Sequence, residues 1–560
     1  MTEPVIIVGS GPAGISAAWP LLEAGVAVLM LDASPAHRLP SPPQGDITAL
    51  RSDPNRWAAQ FGADLGGLSA MGDISPKLTT PLTRAALAGY ADSIGVSAQD
   101  FLVFGSLSAG GLSTVWGGVA AVYDDTDLRG FPFPRSELLP SYDIVKRRIG
   151  VSVVAPSGGV NVVAPSGALG VVPPSGALSV VPPSGGPGMV APSGVGTALG
   201  PRLTPPLQRI VDAAARRTLP ANVEIEPATN AVLLEDRDGR GACVNCGLCL
   251  WGCHRGSIYA SNQELPALRG FPHFTYRPGA RARRLLPSAD RPGVEVEERG
   301  VRMTVTGQRV LLACGAIPTT ALVLQCLGAS AAPVRLLTNP VAAMAFLVPS
   351  LVGASLPQES FALGQLTYRV SLAENHRAEG MLYGADALPL AAVAHRLPLS
   401  RPVALRLSRA LAPALVLATC YLPGSFSANT ILLDGDGADA VLRIEGARTA
   451  AADAGMRAAR RQLGRALSWV GAYPLPGSLA FSPPGADGHY AGTLPMGGAG
   501  PLGTDLCGGL NTLPGVHAVD GAVLSDLPAK HCTLTIMANA DRIARRLVHE
   551  GSVVAAASGR

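Results

Sequence analysis

Residues 4–34 read PVIIVGSGPAGISAAWPLLEAGVAVLMLDAS, and this stretch decides the fold. Val5 to Val8 form an apolar run of strand length. Gly9-Ser10-Gly11-Pro12-Ala13-Gly14 spells GxGxxG, Ile15 to Glu23 has helical spacing, and Val26 to Leu31 is a second strand ending at Asp32. Together they make a complete βαβ unit with the acid in register. Gly9 permits the tight turn, Gly11 lets the backbone approach a pyrophosphate, and Gly14 lets the helix pack on the strand. The helix N-terminus adds unpaired N–H groups and the positive end of a dipole. Asp32 is placed to accept ribose hydroxyls. The segment predicts a dinucleotide site, and the motif alone does not separate FAD from NAD.

Further along, GSLSAGGLSTVWGG (Gly105–Gly118) is a glycine-rich loop with one large aromatic, Trp116, suited to close approach of backbone to a planar ligand. GQRVLLACGAIPTTALVLQ (Gly307–Gln325) reads as buried strand, small-residue turn and helix, another element of the same sheet. Residues 331 to 480 carry shorter apolar runs, strand-like alternation and one or two helices, which predicts a second, substrate-facing domain inserted into the first. The C-terminal block returns to motif. GADGHYAGTLPMGG carries His489, GVHAVDGAVLSDLP is a strand ending at Asp520, and KHCTLTIMANADRIARRL places His531 at the mouth of a helix. Two histidines beside small residues, flanking a strand that ends in aspartate, read as a site.

Composition narrows the class. Over 560 residues only 15% are charged and the balance is +4, so neither a nucleic-acid footprint nor an acidic tail is expected. The expected partner is a small molecule. The N-terminus enters a strand by Val5 without a basic stretch and long apolar core, which points to a cytoplasmic address. The apolar stretch 341–356 is broken by Pro349 and Gly353, and 411–433 by Pro413, Pro423 and Gly424, so no transmembrane span is expected. Between them RPVALRLSRALAPAL reads as a half-buried helix in preference to an interfacial one. Pro-Ser-Gly recurs every nine residues at Pro156, Pro165, Pro174, Pro183 and Pro192; this is expected to be an inserted, extended or poorly ordered loop without chemistry.

The βαβ unit, the glycine-rich loop, the LLACGAIPTTALVL element and the C-terminal block follow in an order that resembles the glucose–methanol–choline (GMC) family of FAD-dependent oxidoreductases. The resemblance implies an α/β fold: a discontinuous Rossmann-like FAD-binding domain plus an α+β substrate domain whose antiparallel sheet roofs the flavin. The expected layout is 1–150 for the first FAD-binding part, 151–200 for the repeat, 201–330 for the second part with the cysteines, 331–480 for the substrate domain and 481–560 for the C-terminal part. Carried over by position, Gly9, Gly11 and Gly14 hold the pyrophosphate, Asp32 the adenosine ribose, and Asp520 with Gly521 the ribityl–phosphate side. Gly110, Gly111, Ser113, Trp116 and Thr533 complete the cofactor set.

His489 sits at the family's active-site histidine and His531 at its partner position. An imidazole near neutral pKa suits removal of a hydroxyl proton while hydride leaves carbon for flavin N5. His489 is read as base and His531 as orienting partner, with the reverse assignment open because paired groups titrate together. GGLSTVWGG is nearest the pyranose-oxidase-like branch, whose loop often attaches FAD through a histidine before the tryptophan. Val115 stands there, so noncovalent FAD is expected. The expected reaction is oxidation of a CH–OH group in a sugar, glycoside or secondary-metabolite alcohol, with O2, a quinone or a redox protein as acceptor. The alternatives are a flavin oxidase or isomerase on a hydrophobic sterol-like substrate, and a flavin and iron–sulfur electron-transfer subunit.

CVNCGLCLWGC sets Cys243, Cys246, Cys249 and Cys253 at the CxxCxxCxxxC spacing of ferredoxins, with His254 in place of the usual proline. Three readings stand: a [3Fe–4S] or [4Fe–4S] cluster, a zinc site, or metal-free thiols lining the FAD or substrate side.

Overall fold

Four regions far apart in sequence supply one sheet. Val5–Val8 is buried at every residue, pairs in parallel with Val28–Asp32 on one side (Ile6 opposite Leu29) and with Val310–Leu312 on the other (Ile6 opposite Val310). Val516–Ala518 extends the sheet beyond Val310–Leu312, and Phe274–Pro278 extends it beyond Val28–Asp32, so all five strands run in parallel. Strands covered on both faces need no polar alternation, which is why Val5–Val8, Val28–Leu31 and Val310–Leu312 read as apolar runs, whereas the edge strand Phe274–Pro278 does not. Helix Pro12–Glu23 starts with proline, whose missing N–H is of no consequence in a first turn, and packs against the long C-terminal helix Thr533–His549. The carboxyl ends of the strands open one crevice containing Gly9, Asp32, Ala313 to Gly315 and Asp520, where open α/β sheets bind ligands.

This computed structural model describes residues 3–34, 39–69, 75–155, 200–328, 332–395, 397–435 and 440–555, with two short strands at 162–163 and 169–170. The Pro-Ser-Gly units named above lie outside the described residues.

The second body is built on an antiparallel sheet in the order Tyr473–Pro474, Val341–Leu347, Leu415–Tyr421, Arg377–Gly384, Leu366–Ser371, Val223–Pro227, with Ala480–Phe481 added on Val341–Leu347. Its last strand, Val223–Pro227, comes from the stretch that sequence assigned to the nucleotide-binding part. Alternation gives the sheet two characters. Ala342, Met344, Phe346, Ala418 and Cys420 pack in one core with helix Ala450–Trp469. The other face carries, in register across neighbouring strands, Val341, Tyr421, Glu379, Arg369 and Glu224.

Helix Arg401–Leu411 buries Ala404 and Ser408, leaving Val403, Leu405 and Leu407 exposed beside its arginines. Among the described residues no helix is long and apolar enough to cross a membrane. Lys530 joins the two bodies. Its Nζ lies 2.5 Å from Asp127 and 3.3 Å from Asp124 on the nucleotide-binding side, and 3.7 Å from Glu379 on the sheet.

Candidate active site

The three glycines of the first turn differ in what surrounds them. A Cβ on Gly9, whose φ is +107°, would meet Ala313 O at 2.6 Å, and one on Gly14 would meet Gly9 O at 1.9 Å. Both are required for packing. Gly11 is open, with Ala313 O at 3.9 Å as the nearest atom, and Gly111 of the glycine-rich loop approaches its Cα. The two turns are stitched together: Gly110 N–H donates to Ser10 Oγ at 2.9 Å, Ser113 Oγ donates to Gly110 O at 2.6 Å, and Ser261 Oγ lies 3.0 Å from Ser10 O. Asp32 accepts the N–H groups of Ser10 (3.0 Å) and Ser34 (2.7 Å), one on each oxygen, and the side-chain hydroxyls of the same two serines also bond to it. Burial raises its pKa.

Beyond Ser113 a cavity of about 310 Å³ is lined by Ser113 to Trp116, Lys77, Cys249, Cys253, Tyr259, Asn262 and others. Trp116 Nε1 donates to Tyr259 O at 2.6 Å, and Lys77 Nζ donates to Trp116 O. Burial brings Lys77 down to about 8. Asn262 Oδ1 is a buried acceptor with no partner, directly beside Gly110. An open glycine turn at a helix N-terminus, an acid at the end of the second strand and an orphaned buried acceptor beside the glycine loop fit a dinucleotide cofactor.

Three hydrogen bonds hold Asp520 in place. Its Oδ2 accepts from Gly315 N–H (2.9 Å) and Thr319 Oγ1 (2.5 Å), its Oδ1 from Ala522 N–H (3.0 Å), and burial raises its pKa to about 6. Gly521 leaves no room for a Cβ, which would sit 2.5 Å from Tyr490 O. Its carbonyl accepts Gly492 N–H, tying this turn to the segment that carries His489. Thr533 opens the C-terminal helix two residues after His531.

The two histidines meet. Their ring centroids are 5.1 Å apart at 75°, and Tyr421 of the antiparallel sheet packs on both, 5.7 Å from His489 and 5.1 Å from His531. Asn339 fixes the first ring. Its Nδ2 donates to Leu422 O (2.8 Å) and Pro528 O (2.9 Å), which settles the amide's orientation and turns Oδ1 toward His489 Nδ1 at 2.9 Å. An amide oxygen can only accept, so Nδ1 carries the proton and Nε2 keeps its lone pair. Burial, with His531 adding to it, lowers His489 to about 3, and burial lowers His531 to about 4. Both rings are neutral at physiological pH, with an acceptor ready at Nε2 of His489. Asn339 and Tyr421 gave no signal in the sequence, since each stands alone in an ordinary loop or strand. Asp487, two residues before His489, lies in the same GADGHYAG stretch, where spacing alone does not set it apart.

Among the described residues no three of His, Cys, Asp and Glu are grouped as metal ligands, so the iron–sulfur and zinc readings of Cys243, Cys246, Cys249 and Cys253 gain no support. The local backbone sets where the thiols pack. Asn245 (φ 53°), Gly247 (φ 76°) and Gly252 (φ 102°) turn the chain repeatedly, and Cys246 O is tied to Ile47 N–H. Cys249 is in the antiparallel-sheet core with Cys243 packed against that core, while Cys246 packs with Ile47, Leu248 and Trp251. All four thiols are free, and burial raises Cys243 to about 12 and Cys249 well above the ordinary thiol range. Only Cys249 and Cys253 line the cavity next to the glycine-rich loop.

Residues 2–52 match the family model described as FAD binding domain. The structure of pyridoxine 4-oxidase from Mesorbium loti is similar to this chain with a TM-score of 0.58, at 16% sequence identity, over 98% of this chain and 99% of that one. The likeness therefore extends to the antiparallel-sheet body and shows a shared fold. No curated protein matches the sequence.

Proposed function

We propose that the protein is an FAD-dependent oxidoreductase of the GMC type that oxidises a CH–OH group to a carbonyl, with His489 as the base. The observation that carries this reading is the tautomer of His489: Nδ1–H donates to Asn339 Oδ1, so Nε2 is a free acceptor on a half-buried ring packed with His531 and Tyr421. Gly9, Gly11, Gly14, Asp32, Gly110, Gly111, Ser113 and Trp116 would hold the cofactor, with Asp520, Gly521 and Thr533 shaping the turn and helix start beside the histidines. FAD, when bound, supplies the hydride acceptor. The chain supplies the rest. Nε2 of His489 takes the hydroxyl proton, His531 orients the hydroxyl oxygen, and the buried sheet face around Tyr421 keeps water from the reacting carbon. The similarity to a pyridoxine 4-oxidase favours O2 as the acceptor over a cluster-linked electron chain.

Anaerobic mixing of the FAD-loaded protein with a panel of sugars, glycosides and aromatic and aliphatic alcohols tests the reading. At least one member is expected to bleach the flavin, and His489→Ala is expected to keep FAD while slowing bleaching by about 10²–10⁴-fold, the usual worth of a positioned base. Bleaching by His489→Ala at the native rate would remove the residue from the mechanism.

A further inference from the structure

Asp487 is a buried carboxylate beside the proposed base, with side-chain exposure of 1%. Its Oδ2 accepts the N–H of Asn339 at 2.8 Å and that of His489 at 3.2 Å. The same oxygen lies 3.8 Å from His489 Nδ1, while Oδ1 is buried with no hydrogen-bond partner. The groups facing it are His489 and Tyr490 on its own segment, Tyr421 from the sheet and Cys532 at the start of the C-terminal helix, with His531 packed on His489. None of these carries a fixed positive charge. A carboxylate left half-satisfied in such a place costs stability, and its position is explained by what it does when the adjacent ring becomes charged.

Resting on the reading of His489 as base, we propose that Asp487 is a positioning residue for that histidine: it pins Asn339 and His489 through their backbone N–H groups and, as a carboxylate, stabilises the imidazolium formed during turnover. In the step it serves, the substrate O–H bond breaks with its electron pair staying on oxygen, and a new N–H bond forms at Nε2. The ring gains one positive charge, which Asn339, being neutral, cannot offset. Asp487 is the only carboxylate that the described residues place against this ring. Burial raises Asp487 to about 7, so it gains its charge near neutral pH and the base works best above that point.

Asp487→Asn is the informative variant, because its amide oxygen still accepts both N–H groups and only the charge is lost. Full-length FAD-loaded protein carrying 15N-labelled histidine is titrated by NMR, with the His489 signal identified by its absence in His489→Gln. In the native protein that signal is expected to step once between about pH 6 and 8, as Asp487 ionises. In Asp487→Asn the step is expected to vanish while the Nδ1–H tautomer stays. A step of the same size in both proteins would overturn the proposal.

The kinetic arm measures anaerobic flavin reduction by whichever alcohol in the panel reduces the native protein. Asp487→Asn is expected to be slower by about 10²-fold and flat across the same pH window, with FAD content unchanged. Native rates in Asp487→Asn would also overturn it. If no alcohol reduces the native protein, or His489→Gln reduces as fast, the functional reading fails instead. The NMR step still decides whether Asp487 and His489 are coupled.

Discussion

The neutral state of the two half-buried histidines sets how the protein responds to acid. In the unfolded chain each imidazole binds a proton near 6.5, whereas in the fold His489 does so at about 3 and His531 at about 4. The unfolded state therefore takes up more protons as pH falls through that window, and the stability present above 6.5 is lost progressively toward 4 and 3. Asp487 runs the other way. Its raised pKa means the folded state holds a proton the unfolded state has released, so its contribution is fully present below about 4 and is lost as pH rises to about 7. His531→Asn is accordingly expected to flatten the fall of Tm between about pH 6.5 and 4 by nearly one proton's worth, measured by calorimetry against the native protein. An unchanged slope would mean that His531 is protonated in the fold. Sequence made His489 and His531 legible because each sits among small residues in a motif-bearing block. It did not show Asn339, 150 residues before His489 in the chain, because a tautomer is decided by a contact that only the fold creates.

At the scale of elements, the strand–turn–helix unit separates two kinds of glycine that the motif treats alike. Gly14→Ala places a methyl 1.9 Å from Gly9 O, a backbone atom held between two strands, so the helix must move off the sheet. That variant is expected to lose about 1–3 kcal/mol of stability or more even without FAD, read from urea midpoints. Gly11→Ala meets nothing nearer than 3.9 Å. It is expected to keep the native midpoint and to weaken FAD binding, read by fluorescence titration. A native midpoint for Gly14→Ala would show that the helix tolerates displacement. The central parallel strands were readable because strands buried on both faces are apolar throughout, whereas the edge strand Phe274–Pro278, FTYRP, was not. Val223–Pro227 was not, since VEIEP is an edge strand with glutamates on one face and no turn signal to mark it. The cysteine run was ambiguous for a related reason. Spacing is one-dimensional, and the left-handed residues Asn245, Gly247 and Gly252 set where the thiols pack, Cys243 and Cys249 with one core and Cys246 with another.

At the scale of the whole molecule, the roof and floor of the site come from different bodies, and a buried ionic cluster one residue before His531 locks them together. Lys530 is 7% exposed and Asp127 6%, with Asp124 and Glu379 within 4 Å and Arg369 bonded to Glu379 at 2.8 Å. Burial lifts Glu379 to about 7 even though Lys530 and Arg369 pull it down, so this carboxylate depends on its cationic neighbours to stay charged. Lys530→Met keeps the length of the side chain and removes the charge that Asp127 and Glu379 face. Breaking a buried pair from one side leaves uncompensated charge, with a cost of about 3–5 kcal/mol, whereas replacing both partners is far milder. Lys530→Met is therefore expected to lower the urea midpoint strongly, and Lys530→Met with Asp127→Asn to recover part of the loss. The single variant should also slow flavin reduction, because the segment that fixes His531 is released from the sheet that carries Tyr421. If the double variant is no more stable than the single one, the cluster is not a paired charge network. Registration of roof on floor would then rest on the apolar contacts alone.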